Sequence, residues 1–352
     1  MKISEGLTFD DVLLKPKYSQ VKSRSNIDIS VKWGSLVYNN PIIPANMKTV
    51  TGSDMAETIM LNNGLAILHR FMSVEDQVGI VKKLIKTENA AKHLALSIGV
   101  KDEDKNNIGI FYRNGVRILC IDIAHGDSEQ CVDMIHFLKD QYPEIFIIAG
   151  NVSSGEGAIR LWTAGANVIK VGVGPGSLCT TRIETGNGVP QLTALMEVAE
   201  AQRDMINLYK TYDYQNDPHS MVTRQFPFIA DGGIKNAGDI VKALCFADMV
   251  MIGNLFAGCD ETPGNTLSID GRSYKEYVGS STHKTNHIEG VAAIVPVKGK
   301  MNLILTKLLE GLKSGCSYQG VSNLTDLKKD PEFIRITNAG LVESHPHDVK
   351  IR

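Results

Sequence analysis

Asn167-Val-Ile-Lys-Val-Gly-Val-Gly-Pro-Gly-Ser-Leu-Cys-Thr-Thr-Arg182 runs from a short apolar strand into a glycine-rich turn that carries a thiol. Gly172, Gly174 and Gly176 allow backbone conformations closed to other residues and leave N–H groups free to face an anion, while Pro175 stiffens the turn. A Gly-x-Gly after a strand can open a Rossmann dinucleotide site. Here the spacing is Gly-x-Gly-x-Gly, a proline interrupts it, and five strand-like runs precede it, so a Rossmann fold is rejected. Working outward, short apolar runs recur at residues 41–45, 65–69, 94–98, 117–122, 146–150, 167–172, 227–231 and 249–253, most of them separated by helix-length amphipathic segments. Near-continuous apolar runs are the mark of parallel strands covered on both faces, and eight strand-helix units predict an α/β fold, a (β/α)8 TIM barrel.

The 352 residues are 43% hydrophobic and 22% charged, a size that one barrel spanning 1–352 accommodates. The formal net charge is −2 and no long basic run occurs, which argues against nucleic acid or an anionic membrane as partner and for a small-molecule substrate. Six cysteines without C-x-x-C spacing predict a reduced, cytoplasmic protein without a zinc site. The start, Met1-Lys-Ile-Ser-Glu-Gly6, lacks the apolar stretch of a signal peptide, and no run reaches the roughly 20 apolar residues of a membrane span.

In a barrel of this kind the chemistry sits at the C-terminal strand ends. Asn46-Met47 follows the first strand, His69-Arg70 the second, Asp122-Ile-Ala-His-Gly126 the fourth, Asn151 the fifth, the Cys179 loop the sixth, Asp231-Gly-Gly233 the seventh and Gly253-Asn254 the eighth. Glycines after strands seven and eight commonly hold a phosphate, so a phosphorylated ligand is expected. A cysteine is more often a small buried apolar residue, but Cys179 stands on the turn where an anion and a nucleophile would meet. Asp122 and His125 could form an acid-base couple, or Asp122 could be a structural hydrogen-bond acceptor.

Three segments depart from even spacing. Residues 203–225 are polar and tyrosine-containing, the composition of a surface insertion or a lengthened helix end. Residues 258–299 contain short glycine-bearing pieces and predict a hairpin followed by a flap over the site. The tail from Ile334 holds Glu343-Ser-His-Pro-His-Asp348, whose two histidines lack a third metal ligand nearby.

Gly-Val-Gly-Pro-Gly-Ser-Leu-Cys179-Thr-Thr-Arg, Ala-Asp231-Gly-Gly-Ile, Met-Ile-Gly253-Asn-Leu-Phe-Ala-Gly, Asp-Gly-Arg-Ser-Tyr-Lys-Glu-Tyr277 and Phe9-Asp-Asp-Val-Leu-Leu14 resemble, in order and nearly end to end, the IMP dehydrogenase and GMP reductase family. The resemblance implies that Cys179 attacks C2 of a purine nucleotide and forms a covalent thioimidate. It implies phosphate contacts from Ser177, Gly233, Gly253, Asn254 and Tyr277, a substrate contact from Gly232, ribose contacts from Asp231, and purine contacts from Gly279 and Ser280. Glu289 matches the position at N1 of the base, and Thr181 with Glu289 assists loss of ammonia in the reductive reaction. The nicotinamide of NADPH would lie near Asp122 and Ala124, with His69 and Arg70 close by. A homotetramer is implied, as is a potassium site on the carbonyls of Gly174, Gly176 and Cys179, completed by Glu343, Ser344 and His345 of a neighbouring subunit. Lys48 stands where the family usually has Asp.

The two reactions of the family differ in what they need from the flap. The dehydrogenase hydrolyses its intermediate with an Arg-Tyr pair on a long flap; here eleven residues separate Tyr277 from Glu289 and no Arg-Tyr dipeptide occurs among them. The regulatory CBS domain common in the dehydrogenases has no counterpart either. The resemblance therefore implies reduction of GMP by NADPH to IMP and ammonia. The alternatives are an IMP dehydrogenase without CBS domains, which would use NAD, and a non-catalytic barrel that binds purine nucleotides.

Overall fold

The computed structural model describes the backbone of residues 3–86, 88–216, 225–279, 290–347 and 349, and their side chains except those of residues 88 and 212–216. Eight parallel strands make one sheet: β1 (Ile42–Pro44), β2 (Ala66–Leu68), β3 (Leu94–Ile98), β4 (Ile118–Asp122), β5 (Phe146–Val152), β6 (Val168–Val171), β7 (Phe228–Asp231) and β8 (Met249–Ile252). Their order is β1-β8-β7-β6-β5-β4-β3-β2, and β1 packs beside β2, so the ring nearly closes into the (β/α)8 barrel. All eight strands lie within two residues of the expected runs. Every residue of β1, β2, β3, β6 and β8 is buried. That double burial is why the runs read as continuous rather than alternating. Each fully buried Ile, Leu or Val side chain contributes about 1.5–3 kcal/mol.

A helix follows each strand: α1 (Ser53–Leu61), α2 (Val74–Leu84), α3 (Asp102–Arg113), α4 (Glu129–Gln141), α5 (Gly155–Ala164), α6 (Gln191–Asn216), α7 (Ala237–Leu244) and α8 (Met301–Tyr318). Local chemistry starts them. The Ser73, Ser154 and Asn236 side chains accept backbone N–H groups of the first turns of α2, α5 and α7. The helix α6 carries the chain through 203–216, and Gln202 Nε2 donates to the Phe226 carbonyl at 2.7 Å, tying the helix to the residues that lead into β7.

Three accessory sheets accompany the barrel among the described residues. At its N-terminal end the hairpin Val31–Trp33 with Leu36–Tyr38 stacks Trp33 on Phe146, the first residue of β5 (centroids 6.2 Å apart). Near the other end, β9 (Leu267–Ile269), β10 (Arg272–Val278) and β11 (Ala292–Pro296) form an antiparallel sheet in which Val278 pairs with Ala292. The hairpin β9–β10 thus gains a third strand, β11; residues 280–289, where the flap is expected, lie outside the described residues. Lys275, buried in β10, anchors this sheet by donating to the carbonyls of Asp260 and Thr262 at 2.9 and 2.8 Å. The strand Phe333–Arg335 pairs antiparallel with Val12–Leu14, and the helix Asn338–Glu343 packs on the turn Phe9–Asp11. Among the described residues no helix is long and apolar enough to cross a membrane.

Candidate active site

The C-terminal strand ends open into a cavity of about 410 Å³. Its floor is the end of β6. Gly172 leaves that strand at φ +152°, where an added Cβ would overlap the Asp231 carbonyl oxygen at the end of β7. Only glycine fits this close approach of two strand ends. The loop then returns on itself: the Cys179 N–H donates to the Gly176 carbonyl at 3.1 Å, and the short helix Thr181–Thr185 begins two residues after the thiol. Cys179 is half-buried, and its Sγ lies 3.2 Å from Thr181 Oγ1.

On one side of the thiol, Ser177 Oγ and Tyr277 Oη stand 3.3 Å apart, Tyr277 reaching in from β10. Burial pushes the Tyr277 hydroxyl above its ordinary value, with Asp231 adding to the rise, so it remains a neutral donor at neutral pH. A Cβ on Gly253 would press against Tyr277 Oη, which places the β8 terminus directly behind that hydroxyl. Gly279 continues the wall after β10.

The cavity is also lined by Asp122, Ile123 and Ala124 from the end of β4, with Arg70 from the β2 loop. A second cavity of about 330 Å³ shares Arg70 and Ile123 with the first. Burial would raise the Asp122 carboxyl, but the Lys170 ammonium, the Arg70 guanidinium and an Asn46 hydrogen bond outweigh it and hold the group below the usual carboxylate value.

Of the residues expected from the sequence, Cys179, Thr181, Ser177, Asp231, Gly232, Tyr277, Gly279, Asp122, Ala124, Arg70, Gly174 and Gly176 share the first cavity. Gly233 lies just behind it, against Gln191, Phe9 and Pro175. The Asn254 carbonyl accepts from the Lys298 ammonium. His69 is buried off the cavity; its Nδ1 accepts the Phe71 N–H at 3.1 Å, and burial, with Lys48 nearby, brings its pKa down to about 4. Ser280 and Glu289 lie outside the described residues. Glu343, Ser344 and His345 do not line this cavity: Ser344 Oγ donates to the Gly340 carbonyl and His345 Nδ1 meets the Leu341 carbonyl, at 2.7 and 2.9 Å within their own turn.

One group escaped the sequence reading. Lys170, 1% exposed in the middle of β6, places Nζ 2.7 Å from Asp231 Oδ2 and 3.0 Å from Asp122 Oδ1. Asn151 Nδ2 also donates to Asp231 Oδ2, at 2.9 Å. The available signal was a lysine inside an otherwise apolar strand, since a buried charge needs partners.

Residues 6–347 match the family model described as "IMP dehydrogenase / GMP reductase domain". The chain belongs to this family. A GMP reductase of Staphylococcus carnosus is 39% identical over 340 residues, spanning 94% of this chain and 96% of the relative. An inosine-5'-monophosphate dehydrogenase of Aquifex aeolicus is 32% identical over 494 residues, spanning 99% of this chain and 97% of the relative. A crystal structure of GMP reductase from Trypanosoma brucei in complex with guanosine 5'-monophosphate superposes with a TM-score of 0.88 at 27% identity, covering 99% of both chains. As a member of the IMP dehydrogenase / GMP reductase family the chain is an oxidoreductase enzyme, and the family's chemistry depends on a nicotinamide dinucleotide.

Proposed function

We propose that this chain is a GMP reductase, converting GMP to IMP and ammonia at the expense of NADPH. The observation that carries the reading is the placement of the Cys179 thiol beside the Thr181 hydroxyl, in one cavity with a hydroxyl pair fit for a phosphate and an aspartate fit for a ribose. Support for the reductive direction comes from the length of the connection between β10 and β11: with Val278 paired to Ala292, only residues 279–291 join the two strands. That connection is short beside the long flap the resemblance implies for a dehydrogenase, and no Arg-Tyr pair occurs in it.

In this reading Ser177, Tyr277, Gly232, Gly233, Gly253 and Asn254 receive the 5′-phosphate, Asp231 accepts from the ribose hydroxyls, and Gly279 and Ser280 flank the purine. Cys179 adds as thiolate to C2, and the 2-amino group, once protonated, departs as ammonia with help from Thr181 and Glu289. That leaves C2 bound to sulfur as a thioimidate. After C2 has been reduced, the C–S bond breaks, the thiolate returns and IMP is released. When bound, the nicotinamide of NADPH supplies the two electrons and the hydrogen that C2 gains. The donor set fits such a ring: Ile123 and Ala124 offer an apolar face beside the Asp122 acceptor, and the adjoining cavity past Arg70 leaves room for the rest of a dinucleotide. The buried His69 would back the Arg70 loop rather than touch the ring. A potassium ion would suit the carbonyl oxygens of Gly174, Gly176 and Cys179, with Glu343, Ser344 and His345 of a neighbouring subunit of a homotetramer completing it.

The 32% identity with the Aquifex aeolicus dehydrogenase keeps a second reading in play, oxidation of IMP with NAD. Following reduced-nicotinamide absorbance in two mixtures separates the two. Consumption in GMP plus NADPH alone is the expected outcome; production of NADH from IMP plus NAD+ overturns the reductase reading, and silence in both points to a nucleotide-binding barrel.

A further inference from the structure

Lys170 is the one cation of β6, and it faces two strands at once. Asp122 approaches it from β4 and Asp231 from β7, and the Met251 sulfur of β8 lies 4.0 Å away. Room for it is built into the neighbouring strand, since a Cβ on Gly150 would come 2.7 Å from Lys170 Cβ. The charged and titratable groups around it are Asp122, Asp231 and the Cys120 thiol, with Arg70 acting on Asp122 from the far side. Both carboxylates are mostly buried, their side chains 20% and 19% exposed. Each therefore turns one face to the lysine and keeps a limited face for a ligand.

We propose that Lys170 is a positioning residue that holds the carboxylates of Asp122 and Asp231 at a fixed separation, so that one buried ammonium sets the acceptors on both the nucleotide side and the cofactor side of the pocket. This rests on the functional reading above, in which Asp231 faces the ribose and Asp122 the nicotinamide. Physically, two carboxylates gathered into one low-dielectric site repel, and either a cation between them or a shared proton relieves that repulsion. Burial alone would drive the lysine to lose its proton, but Asp122 and Asp231 outweigh it and keep the ammonium charged. Asn151, which bonds both Asp231 Oδ2 and the Gly172 carbonyl, adds a neutral donor but no charge.

Without Lys170 the pair has no cation, and only protonation or outward movement relieves its repulsion. Lys170→Met keeps an apolar chain of similar length and should therefore bind GMP about tenfold or more weakly than the parent at about pH 8.5 and lose less at about pH 6.5, because lower pH favours the protonated, non-repelling form of the pair. A lysine that merely filled space would leave the ratio of variant to parent affinity the same at both pH values. Lys170→Met/Asp122→Asn removes the repulsion with the cation and should bind GMP with a pH-independent affinity ratio, while loss of the Asp122 carboxylate raises the KM for NADPH.

The test is calorimetric titration of the full-length protein with GMP and with IMP at both pH values, together with NADPH KM. A pH-dependent loss in Lys170→Met that Asp122→Asn abolishes supports the proposal. A ratio to the parent that is flat with pH in Lys170→Met overturns it. Should Lys170→Met fail to fold, the double variant decides: a folded protein that binds GMP supports charge balance as the role, because removing one negative charge restores what loss of the cation destroyed, and one that also fails to fold, or that loses GMP at both pH values, overturns it. Failure of the parent protein to bind either nucleotide would instead overturn the functional reading.

Discussion

Cys179 Sγ and Thr181 Oγ1 lie 3.2 Å apart, two residues from each other in sequence, at the point where the glycine-rich turn gives way to the helix Thr181–Thr185. Local geometry produces this pairing: the Cys179 N–H bonds back to Gly176, so the chain doubles over and presents both side chains to the same cavity. A sulfur and a hydroxyl so placed can act on one carbon and on the group leaving it.

Replacing the thiol tests the covalent step. Cys179→Ala should lower turnover of GMP by about 10³-fold or more while GMP affinity, measured by calorimetry, changes little. Appreciable turnover by this variant would remove the covalent mechanism.

Glu289→Gln addresses the departure of ammonia. The amide cannot exchange a proton with N1 or the 2-amino group, so single-turnover ammonia release should slow by about 10²-fold or more, a larger effect than on hydride transfer measured from the thioimidate. Unchanged ammonia release would contradict the role assigned to this residue.

The environment of the thiols predicts selective labelling. Five cysteines are buried: burial pushes Cys131, Cys245 and Cys259 up to about 12, Cys316 up to about 11, and Cys120 upward as well. Cys179 alone of the six is partly exposed. Iodoacetamide at neutral pH should therefore carboxamidomethylate Cys179 of the native protein, GMP should protect it, and peptide mass mapping should find the other five unmodified.

His69 carries an acid-side instability. Burial, helped by Lys48, lowers its pKa to about 4, whereas an unfolded histidine titrates near about 6.5. The unfolded chain therefore takes up a proton first, and the folded state loses stability as pH falls from about 6.5 to about 4, with no contribution from this group above that window. Urea midpoints measured across that range should fall, and His69→Asn should flatten the fall. A parent midpoint independent of pH there would show that the ring is accessible to protons in the folded protein.

The eight strands and their order were legible because a strand buried on both faces is apolar along its whole length, as in Leu94–Ile98 and Val168–Val171, and because glycines mark the strand ends where chains approach closely. The Cys179 loop was legible for the same local reason: glycines, proline and thiol are contiguous. The extra strand β11 was less so, since Ala292–Pro296 has a mixed, half-exposed pattern that only its pairing with β10 explains.

Sequence by itself thus determined the barrel and the position of the Cys179 loop after its sixth strand, both of which follow from short-range pattern. Tertiary structure alone decided that Lys170 sits between Asp122 and Asp231. These three residues come from β6, β4 and β7, and nothing local in the sequence relates them. Only the parallel register, Gly150 beside Lys170 and Asp122 beside Gly150, together with the curvature that turns β4, β6 and β7 toward one axis, brings two carboxylates onto one ammonium.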